Sequence, residues 1–445
     1  MATLLQEPNY YNAAYVPNVW TVDVLGTADR FVLSVYITGI AGPVATFKQP
    51  ANPSGVAHFD VQKVLQSYLE PYFVEETQFF ASTPGAHRTY QVRYGTETDN
   101  LVTYDGYSVT KHVINGYDNW RVLNSDLSNY LLNPDEITCE NTNINARYLT
   151  PVSFLTNFPN ETYKVRSNEY KTLSFFTQNT NIGPNWGPNE APFFAHIQYF
   201  LNSVQVSEVV FTIGSGYGSD IRLNCQDMTT NITEANTITT MGVGPQNFTD
   251  AGINPPTHDA YTVHIHSYNN CIDTTIQDCQ DFGEILSDGY LGDIIYEADF
   301  EVVNECSPFD PITVSFVNQY GVKDYYTFDR RNTRQLDTNR NDYSKTLGTW
   351  SEDVFSINQH NGGKTVFSAA STTRMSLQTN WMTDATSEWL QELFISSTIN
   401  IYVDGKWEPC VINTRQYNQK TYARDRMFQH ELEVEFANNQ KIQRG

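Results

Sequence analysis

Short runs of alternating apolar and polar residues are the feature that most constrains the fold of this chain. In the run 427–437, MFQHELEVEFA, every second residue from Phe428 to Phe436 is apolar or histidine, and the residues between them are glutamine or glutamate. A period of two belongs to an extended strand, because successive side chains point to opposite faces. This run therefore predicts a half-buried antiparallel strand with one solvent-facing side. Runs rich in β-branched and aromatic residues predict further strands at 30–38, 89–94, 312–317 and 399–403.

Two segments have helical spacing instead. Asp60 is a predicted N-cap for the segment 61–70, VQKVLQSYLE, which has one apolar stripe and ends at Pro71. The second predicted helix covers 383–395 and begins at a threonine–aspartate pair. Asp404–Gly405, between two apolar runs, predicts a hairpin turn. The fold class is therefore mainly β, a multidomain β-sandwich architecture with two short embedded helices (β with minor α+β).

The chain length of 445 residues exceeds that of one ordinary domain. Breaks in composition and pattern predict an N-terminal β-sandwich domain, a polar asparagine-rich connector, a middle β-domain with a long exposed loop, and a C-terminal β-rich domain with one helix. Their respective ranges are 1–115, 116–147, 148–300 with the loop at 224–258, and 301–445.

Acidity limits the classes of partner. The chain has 27 Lys and Arg against 50 Asp and Glu, a net charge of −23. Phosphates are bound by cations, so we expect no nucleic-acid binding and no docking on an anionic membrane. No apolar run approaches the roughly 20 residues that span a bilayer, so we expect no membrane insertion. The N-terminal sequence MATLLQEPNYYNAAY lacks the pattern of a secretion signal.

The charge is distributed unevenly. Residues 1–310 hold 12 basic and 35 acidic side chains, whereas 311–445 hold 15 of each. The span 223–322 contains 15 acidic residues and no Lys or Arg. A basic cluster then follows, formed by Arg330, Arg331, Arg334, Arg340 and Lys345. It is interpreted either as a solvated basic loop or as a docking loop for an acidic neighbour, which includes another copy of this chain.

The six cysteines form no CxxC pair, so a zinc ribbon is not predicted. Free, mostly buried thiols in a reducing cytosol are the favoured interpretation. A Cys271–Cys279 disulfide is the alternative, and spacing alone does not support it.

Recognisable catalytic motifs are missing: the sequence has no GxSxG, HExxH or P-loop. His264 and His266 lie two apart, with His258 nearby, and alternate histidines on a strand can ligate a metal. Polar, half-buried histidines are the favoured interpretation, since spacing supplies no further ligand. The stretch 337–342 begins like a calcium loop but lacks its glycine and its final glutamate, which favours a polar surface loop. We therefore predict no catalytic residue, no metal and no cofactor.

Three segments together resemble a known group of proteins. They are Gly55–Asp60 running into VQKVLQSYLEPYF, then Pro311–Phe328, and then the run from Trp381 to Gly445 that contains EWLQELFISSTINIYVDGKWEPCVI. The combination resembles virion structural proteins of tailed phages that infect Bacteroidota, crAss-like phages included. It covers half of the chain, and the middle domain is outside it.

The resemblance implies a place and no chemistry. It implies a non-enzymatic structural protein of the virion, assembled in the cytoplasm of the host bacterium. The expected position is the tail, as a hub, baseplate or tail-tip adaptor protein that forms a symmetric oligomer. Its partners would be other copies of itself and other tail proteins.

Several alternatives remain open. A head–tail collar or head-decoration protein fits the same resemblance. A module binding host-surface glycan or receptor would use loop aromatics, and Trp186, in GPNWGPNE, is the best stacking candidate. A carbohydrate-active enzyme would need two suitably separated carboxylates, which sequence spacing does not define.

Overall fold

Two compact units make up the chain. The computed structural model describes residues 2–24, 29–71, 74–117, 127, 154–159, 162–177, 193–213, 237–268, 291–303, 309–357, 363–414, 429–437 and 441–444. Unit 1 comprises Met1–Asn304 together with Asn318–Asp324. Unit 2 comprises Glu305–Val317 and Tyr325–Gly445.

Unit 1 is built mainly from strands. They are β1 (Ala2–Gln6), β2 (Tyr11–Ala13), β3 (Val19–Val24), β4 (Arg30–Ile37), β5 (Ala45–Gln49), β6 (Val56–Asp60), β7 (Phe80–Thr83), β8 (His87–Thr98), β9 (Leu101–Tyr107), β10 (Lys111–Ile114), β11 (Tyr163–Val165), β12 (Thr172–Thr177), β13 (Phe193–Leu201), β14 (Val204–Ile213), β15 (Thr237–Gly242), β16 (Ala260–Tyr268) and β17 (Leu291–Val302). Its helices are α1 (Gln62–Gln66) and α2 (Pro245–Asp250), with a 3-10 turn at Pro84–Ala86.

The remaining elements follow residue 311. The strands are β18 (Ile312–Val317), β19 (Lys323–Phe328), β20 (Asn332–Lys345), β21 (Thr349–Ser351), β22 (Val354–Ser356), β23 (Gly363–Gln378), β24 (Ile399–Val403), β25 (Lys406–Ile412), β26 (Glu431–Phe436) and β27 (Lys441–Arg444). The helix is α3 (Asp384–Ile395). None of the helices in the described part of the chain has the length and apolar character needed to cross a bilayer.

The first half of unit 1 is a β-sandwich. One sheet has the order β1–β3–β6, and the other has the order β2–β10–β8–β4–β5 with β9 on β8. Trp20 and Phe59 of the first sheet pack in one core with Phe31 and Tyr90 of the second. Because these large side chains are fully buried, they supply much of the apolar area that stabilises the sandwich.

A second sandwich follows the same principle. Its sheets have the orders β11–β17–β16–β13–β14 and β12–β15–β7. Phe175 and Met241 of the smaller sheet pack against Tyr199, Tyr261 and Tyr296 of the larger one. The multidomain, mainly β fold class predicted from the sequence is confirmed.

The two predicted domains 1–115 and 148–300 form one compact unit, since β7 supplies a strand to a sheet of the later segment. Hydrogen bonds of a shared sheet hold the two segments together, and a third apolar cluster adds to them. That cluster contains Tyr11, Ile114, Phe176 and Tyr320. The predicted connector 116–147 lies almost wholly outside the described residues.

The predicted loop at 224–258 is wrong for residues 237–250, whereas residues 251–258 contain neither strand nor helix. Residues 237–242 form strand β15, paired on both edges, and α2 follows it. The sequence there is TITTMG, whose threonines are β-branched residues that suit a strand. Their hydroxyls make them look loop-like in sequence, but the Thr240 hydroxyl lies 2.8 Å from that of Ser174 across the ladder.

A hairpin joins β18 to β19, and its turn is buried in unit 1. Asn318 Oδ1 accepts from turn backbone, from the Tyr320 N–H at 2.9 Å and the Val322 N–H at 3.2 Å. Lys323 Nζ donates to Glu76 Oε1 at 2.7 Å, and both side chains are buried. Asp324 Oδ2 accepts from the Thr156 hydroxyl at 2.8 Å.

Unit 2 contains one large sheet, in the order β19–β18–β24–β25–β26–β23–β20 with β27 on β23. Leu432, Val434 and Phe436 are buried, whereas Glu431 is exposed, so the predicted two-faced strand is confirmed. Asp404 and Gly405 have φ values of 53° and 77°, as the predicted two-residue hairpin turn requires.

The two predicted helices are present with different lengths. Thr383 caps α3 by accepting from the Thr386 N–H, and Trp389 on its buried face lies against Phe316. Helix α1 stops at Gln66, short of the predicted Glu70. The N-cap of α1 is Val61 rather than the predicted Asp60, although Asp60 Oδ1 accepts from the Gln62 N–H at 3.0 Å.

Candidate functional site

The basic cluster lies on a strand. Arg330 and Arg331 precede β20, and Arg334, Arg340 and Lys345 belong to it. All five side chains are exposed. The predicted loop is wrong for Arg334, Arg340 and Lys345, because residues 332–345 pair along their length with β23, whereas Arg330 and Arg331 lie outside the strand. Strands β20 and β23 form a two-stranded ribbon whose two faces are largely solvent-exposed. The sequence of β20 therefore has no alternation of apolar and polar residues that could have predicted the strand.

We call the ribbon of β20 and β23, with β21 and β22 between them, the β-arm. Its register runs from Asn332 opposite Leu377 to Lys345 opposite Gly363. Strand β26 pairs with the base of β23, and β27 pairs with Ser368–Ser371. Beyond Ser368, neither strand of the ribbon has another sheet neighbour within the described ranges. The outer part is therefore a two-stranded extension of the sheet.

Large apolar side chains are exposed along the β-arm. Ile357 is 69% exposed and Val354 is 65% exposed, both next to the short β21–β22 ladder. The others are Leu336, Tyr343, Leu347, Phe355, Val366 and Phe367. A concentration of exposed apolar residues on one projecting element is typical of an interaction surface.

Two of the basic residues also have partners within unit 2. The Arg330 guanidinium donates to Asn380 Oδ1, with Nη2 at 2.7 Å. Arg334 Nη1 lies 3.2 Å from Asp404 Oδ2. Arg331 and Arg340 are exposed and are the members best placed to meet another molecule.

The calcium-like stretch 337–342 also lies in β20, so the predicted polar loop is wrong there as well. Arg374 Nη1 lies 3.2 Å from Asp337 Oδ2, and Lys364 Nζ lies 2.5 Å from Asp342 Oδ2. Both carboxylates thus face cations of the neighbouring strand β23.

Other predicted positions have mixed outcomes. Trp186, Cys271 and Cys279 lie outside the described residues. Cys410 is free and buried, as predicted for the cysteines, and burial raises the pKa of its thiol to about 12.

A second feature is a group of three histidines in the larger sheet of the second sandwich. His264 and His266 project from the same side of β16, and the β13–β16 register places His196 directly opposite His264. One ring nitrogen from each residue lies within 4.8 Å of the others, and all three side chains are buried. His258 lies apart from this group, with its ring against Tyr199.

Two carboxylates flank these histidines. Glu208 Oε2 on β14 lies 3.0 Å from His196 Nε2, and Glu297 Oε1 on β17 lies 3.6 Å from His264 Nε2. Gln205 Nε2 donates to the same oxygen of Glu208, which fixes that carboxylate. Burial lowers the pKa of His264, against the opposing effect of Glu297, so its imidazole is favoured in the neutral form.

Sequence spacing identified His264 and His266 but missed His196. The residues around it, FFAHIQYF, alternate Ala195 and Ile197 in the core with His196 and Gln198 on the other side. That pattern marks His196 as facing away from the core. Its position opposite His264 depends on the pairing of β13 with β16, which are far apart in sequence, so no local sequence pattern could predict it.

Comparisons with known proteins give no family. No family model matches the chain, and no curated protein matches it. Among solved structures, a crystal structure of the ICAM-5 D1–D4 ectodomain fragment is similar over 92% of this chain and 73% of that chain. Its sequence identity is 8% and its TM-score is 0.19, so the likeness supports no conclusion about fold or function.

Proposed function

We propose that this chain is a non-enzymatic structural component of a tailed-phage virion, located in the tail and assembled as a symmetric oligomer. The resemblance of three sequence segments gives the class of particle. The observation that carries the assembly role is the β-arm, with its exposed apolar side chains. The proposal needs no cofactor, since assembly is a matter of fitting surfaces.

Leaving the β-arm exposed to solvent is energetically unfavourable. A long edge strand offers unpaired backbone groups to any other strand, and β20 is the edge of its sheet. Each large apolar side chain contributes about 1.5–3 kcal/mol when a neighbour removes it fully from water. Several such side chains on one element would therefore stabilise contact with a neighbouring subunit.

Charge would set the orientation of that contact. Arg340 is exposed on the β-arm and Arg331 is exposed just before it, and the span 223–322 of the sequence is acidic without a single cation. A head-to-tail contact between copies places different surfaces together and closes into a ring when the rotation allows. In such contacts, charge complementarity fixes the register of the two subunits more than it raises their affinity.

The β-arm is tested by removing its exposed apolar side chains in the full chain. Val354→Ser with Ile357→Ser should abolish oligomer formation in analytical ultracentrifugation. The matched control is Leu101→Ser with Val109→Ser, two side chains of similar exposure in unit 1. Equal loss in both double variants, or no effect of the first, would contradict the role of the β-arm.

The charge contribution is tested separately. Arg331→Glu with Arg340→Glu should weaken oligomers, and the weakening should shrink at high salt because screening reduces the wild-type attraction. Lys63→Glu with Lys406→Glu changes the net charge equally at exposed positions outside the β-arm.

The virion assignment itself is tested on particles. Mass spectrometry of purified tailed-phage particles that encode this chain should detect it in stoichiometric amounts, and imaging should place it in the tail. If the chain is missing from purified particles, the virion proposal fails whatever the oligomer assays show.

A further inference from the structure

The three histidines lie on the side of their sheet that faces away from the apolar core. Ile197, Val263 and Ile265 of the same two strands point into the core of the sandwich. His196, His264 and His266 alternate with them and are nevertheless only 7–9% exposed. Burial of imidazoles is unfavourable unless their nitrogens find partners. Three of them at one place therefore need a chemical explanation.

The strand register gives that arrangement its geometry. His196 and His264 are direct cross-strand neighbours, and His266 is the next residue on the same side of β16. Their ring centroids are separated by 5.6–5.9 Å in all three pairs. Each ring also offers one nitrogen within 4.8 Å of the others, which is the proximity that a three-donor site needs.

We propose that His196, His264 and His266 bind one divalent transition-metal ion of the zinc class. Donor nitrogens within 4.8 Å of one another need only modest side-chain rotation to reach the roughly 3.4 Å separation of a tetrahedral site with metal–nitrogen bonds of about 2.0–2.1 Å. The strands beneath them are fixed by a continuous ladder from β14 to β17, so rotation of the rings is sufficient.

The flanking carboxylates fit this assignment. Histidine ligands commonly donate their second ring N–H to a carboxylate, which fixes the tautomer and leaves the other nitrogen as the donor. Glu208 Oε2, 3.0 Å from His196 Nε2, is placed to do this for His196, which leaves Nδ1 of that ring for the metal. Glu297 Oε1 lies 3.6 Å from His264 Nε2, a charge contact beyond hydrogen-bond distance.

The donor set selects the class of ion. Imidazole nitrogens suit Zn²⁺, Co²⁺, Ni²⁺ and Cu²⁺, whereas Ca²⁺ and Mg²⁺ require oxygen ligands. Three nitrogens leave one tetrahedral position, which a water molecule or a carboxylate oxygen would take. Two nearby carboxylates would also balance the charge of the ion in this buried place.

Binding is tested on the full chain with Co²⁺ and Zn²⁺. Titration with Co²⁺ should produce the intense visible absorption of tetrahedral coordination, saturating at one ion per chain, and Zn²⁺ should abolish it by displacement. Zn²⁺ should also raise the unfolding temperature, and a chelator should reverse the effect. A Co²⁺ spectrum that stays octahedral, with no saturable binding, would overturn the proposal in favour of a metal-free histidine–carboxylate cluster.

Variants locate the ion. His264→Gln should lower affinity at least a hundredfold and remove the tetrahedral spectrum, while His258→Gln, a nearby histidine outside the cluster, should leave both unchanged. Circular dichroism verifies that each variant is folded. If His264→Gln does not fold, Glu208→Gln keeps the test decisive. The loss of its support to His196 should weaken binding about 10- to 100-fold. Undiminished binding in folded His264→Gln or Glu208→Gln would contradict the assignment.

Discussion

At the residue scale, Lys323 and Glu76 are oppositely charged side chains buried together. Lys323→Met leaves the Glu76 carboxylate buried without its cation, and we expect the free energy of unfolding to fall by about 3–5 kcal/mol. Urea denaturation measures this difference. Lys364→Met, which removes a partner of Asp342 in a largely exposed ion pair, should cost less than about 1 kcal/mol. Similar costs for the two variants would show that the buried pair is not special.

Gly321 offers a second test at the residue scale, because both its backbone conformation and its close neighbours disfavour a side chain. Its φ is +77°, and a Cβ atom would lie 2.1 Å from the Asn115 carbonyl oxygen. Gly405 has the same φ of +77° with open space around it. Gly405→Ala should therefore cost about 1–2 kcal/mol, the price of left-handed backbone alone. Gly321→Ala should cost clearly more in the same denaturation assay, and equal costs would mean that the turn shifts freely.

At the scale of elements, shortening the β-arm should prevent assembly without changing the stability of the subunit. Lys345 pairs with Gly363, so a two-residue Asn-Gly turn can replace 346–362 and close a shortened ribbon. The shortened chain should keep the unfolding free energy of the wild type within about 1 kcal/mol, because none of the removed side chains that the structure describes is buried. It should form no oligomer in ultracentrifugation. A shortened chain that still assembles would exclude the outer β-arm as the contact.

Strands with at least one buried face were predictable from their apolar residues, and a strand with two solvent-facing sides was not. Strands 312–317 and 399–403 were predicted with the bounds that the structure has, since β-branched and aromatic residues fill them. Strand β20 was missed because both of its faces meet solvent, and its pairing with β23 is set by a ribbon rather than by a core. The position of His196 beside His264 was also not predicted, because it depends on the pairing of β13 with β16, which are far apart in sequence.

At the scale of the whole molecule, buried histidines make stability depend on pH. Burial lowers the pKa of His112 to about 4, and this ring lies against His87 with Nδ1 3.1 Å from the His87 Nε2. In the unfolded chain the His112 imidazole is protonated as the pH falls through about 6.5, whereas in the folded chain it is protonated only at about pH 4. Stability contributed by His112 is therefore complete above pH 7 and declines as the pH falls, by about 3 kcal/mol at pH 4.

Urea denaturation between pH 7 and pH 4 measures that decline. His112→Gln should flatten the dependence relative to wild type, even if it lowers stability at pH 7. Burial also lowers the pKa of His430 in unit 2, which adds a decline of the same sign that His112→Gln leaves in place. An unchanged slope in the variant would show that other groups dominate acid sensitivity.

The path of the chain has a genetic consequence. Residues 305–317 belong to unit 2, 318–324 belong to unit 1, and the chain then returns to unit 2. A recombination event with one breakpoint near codon 304 would deliver a first unit lacking Tyr320, Val322 and Lys323, three buried side chains. Homologous genes could exchange this region only if the codons for the turn travelled with the unit that buries it. The codons for residues 318–324 must therefore be inherited together with those for residues 1–304.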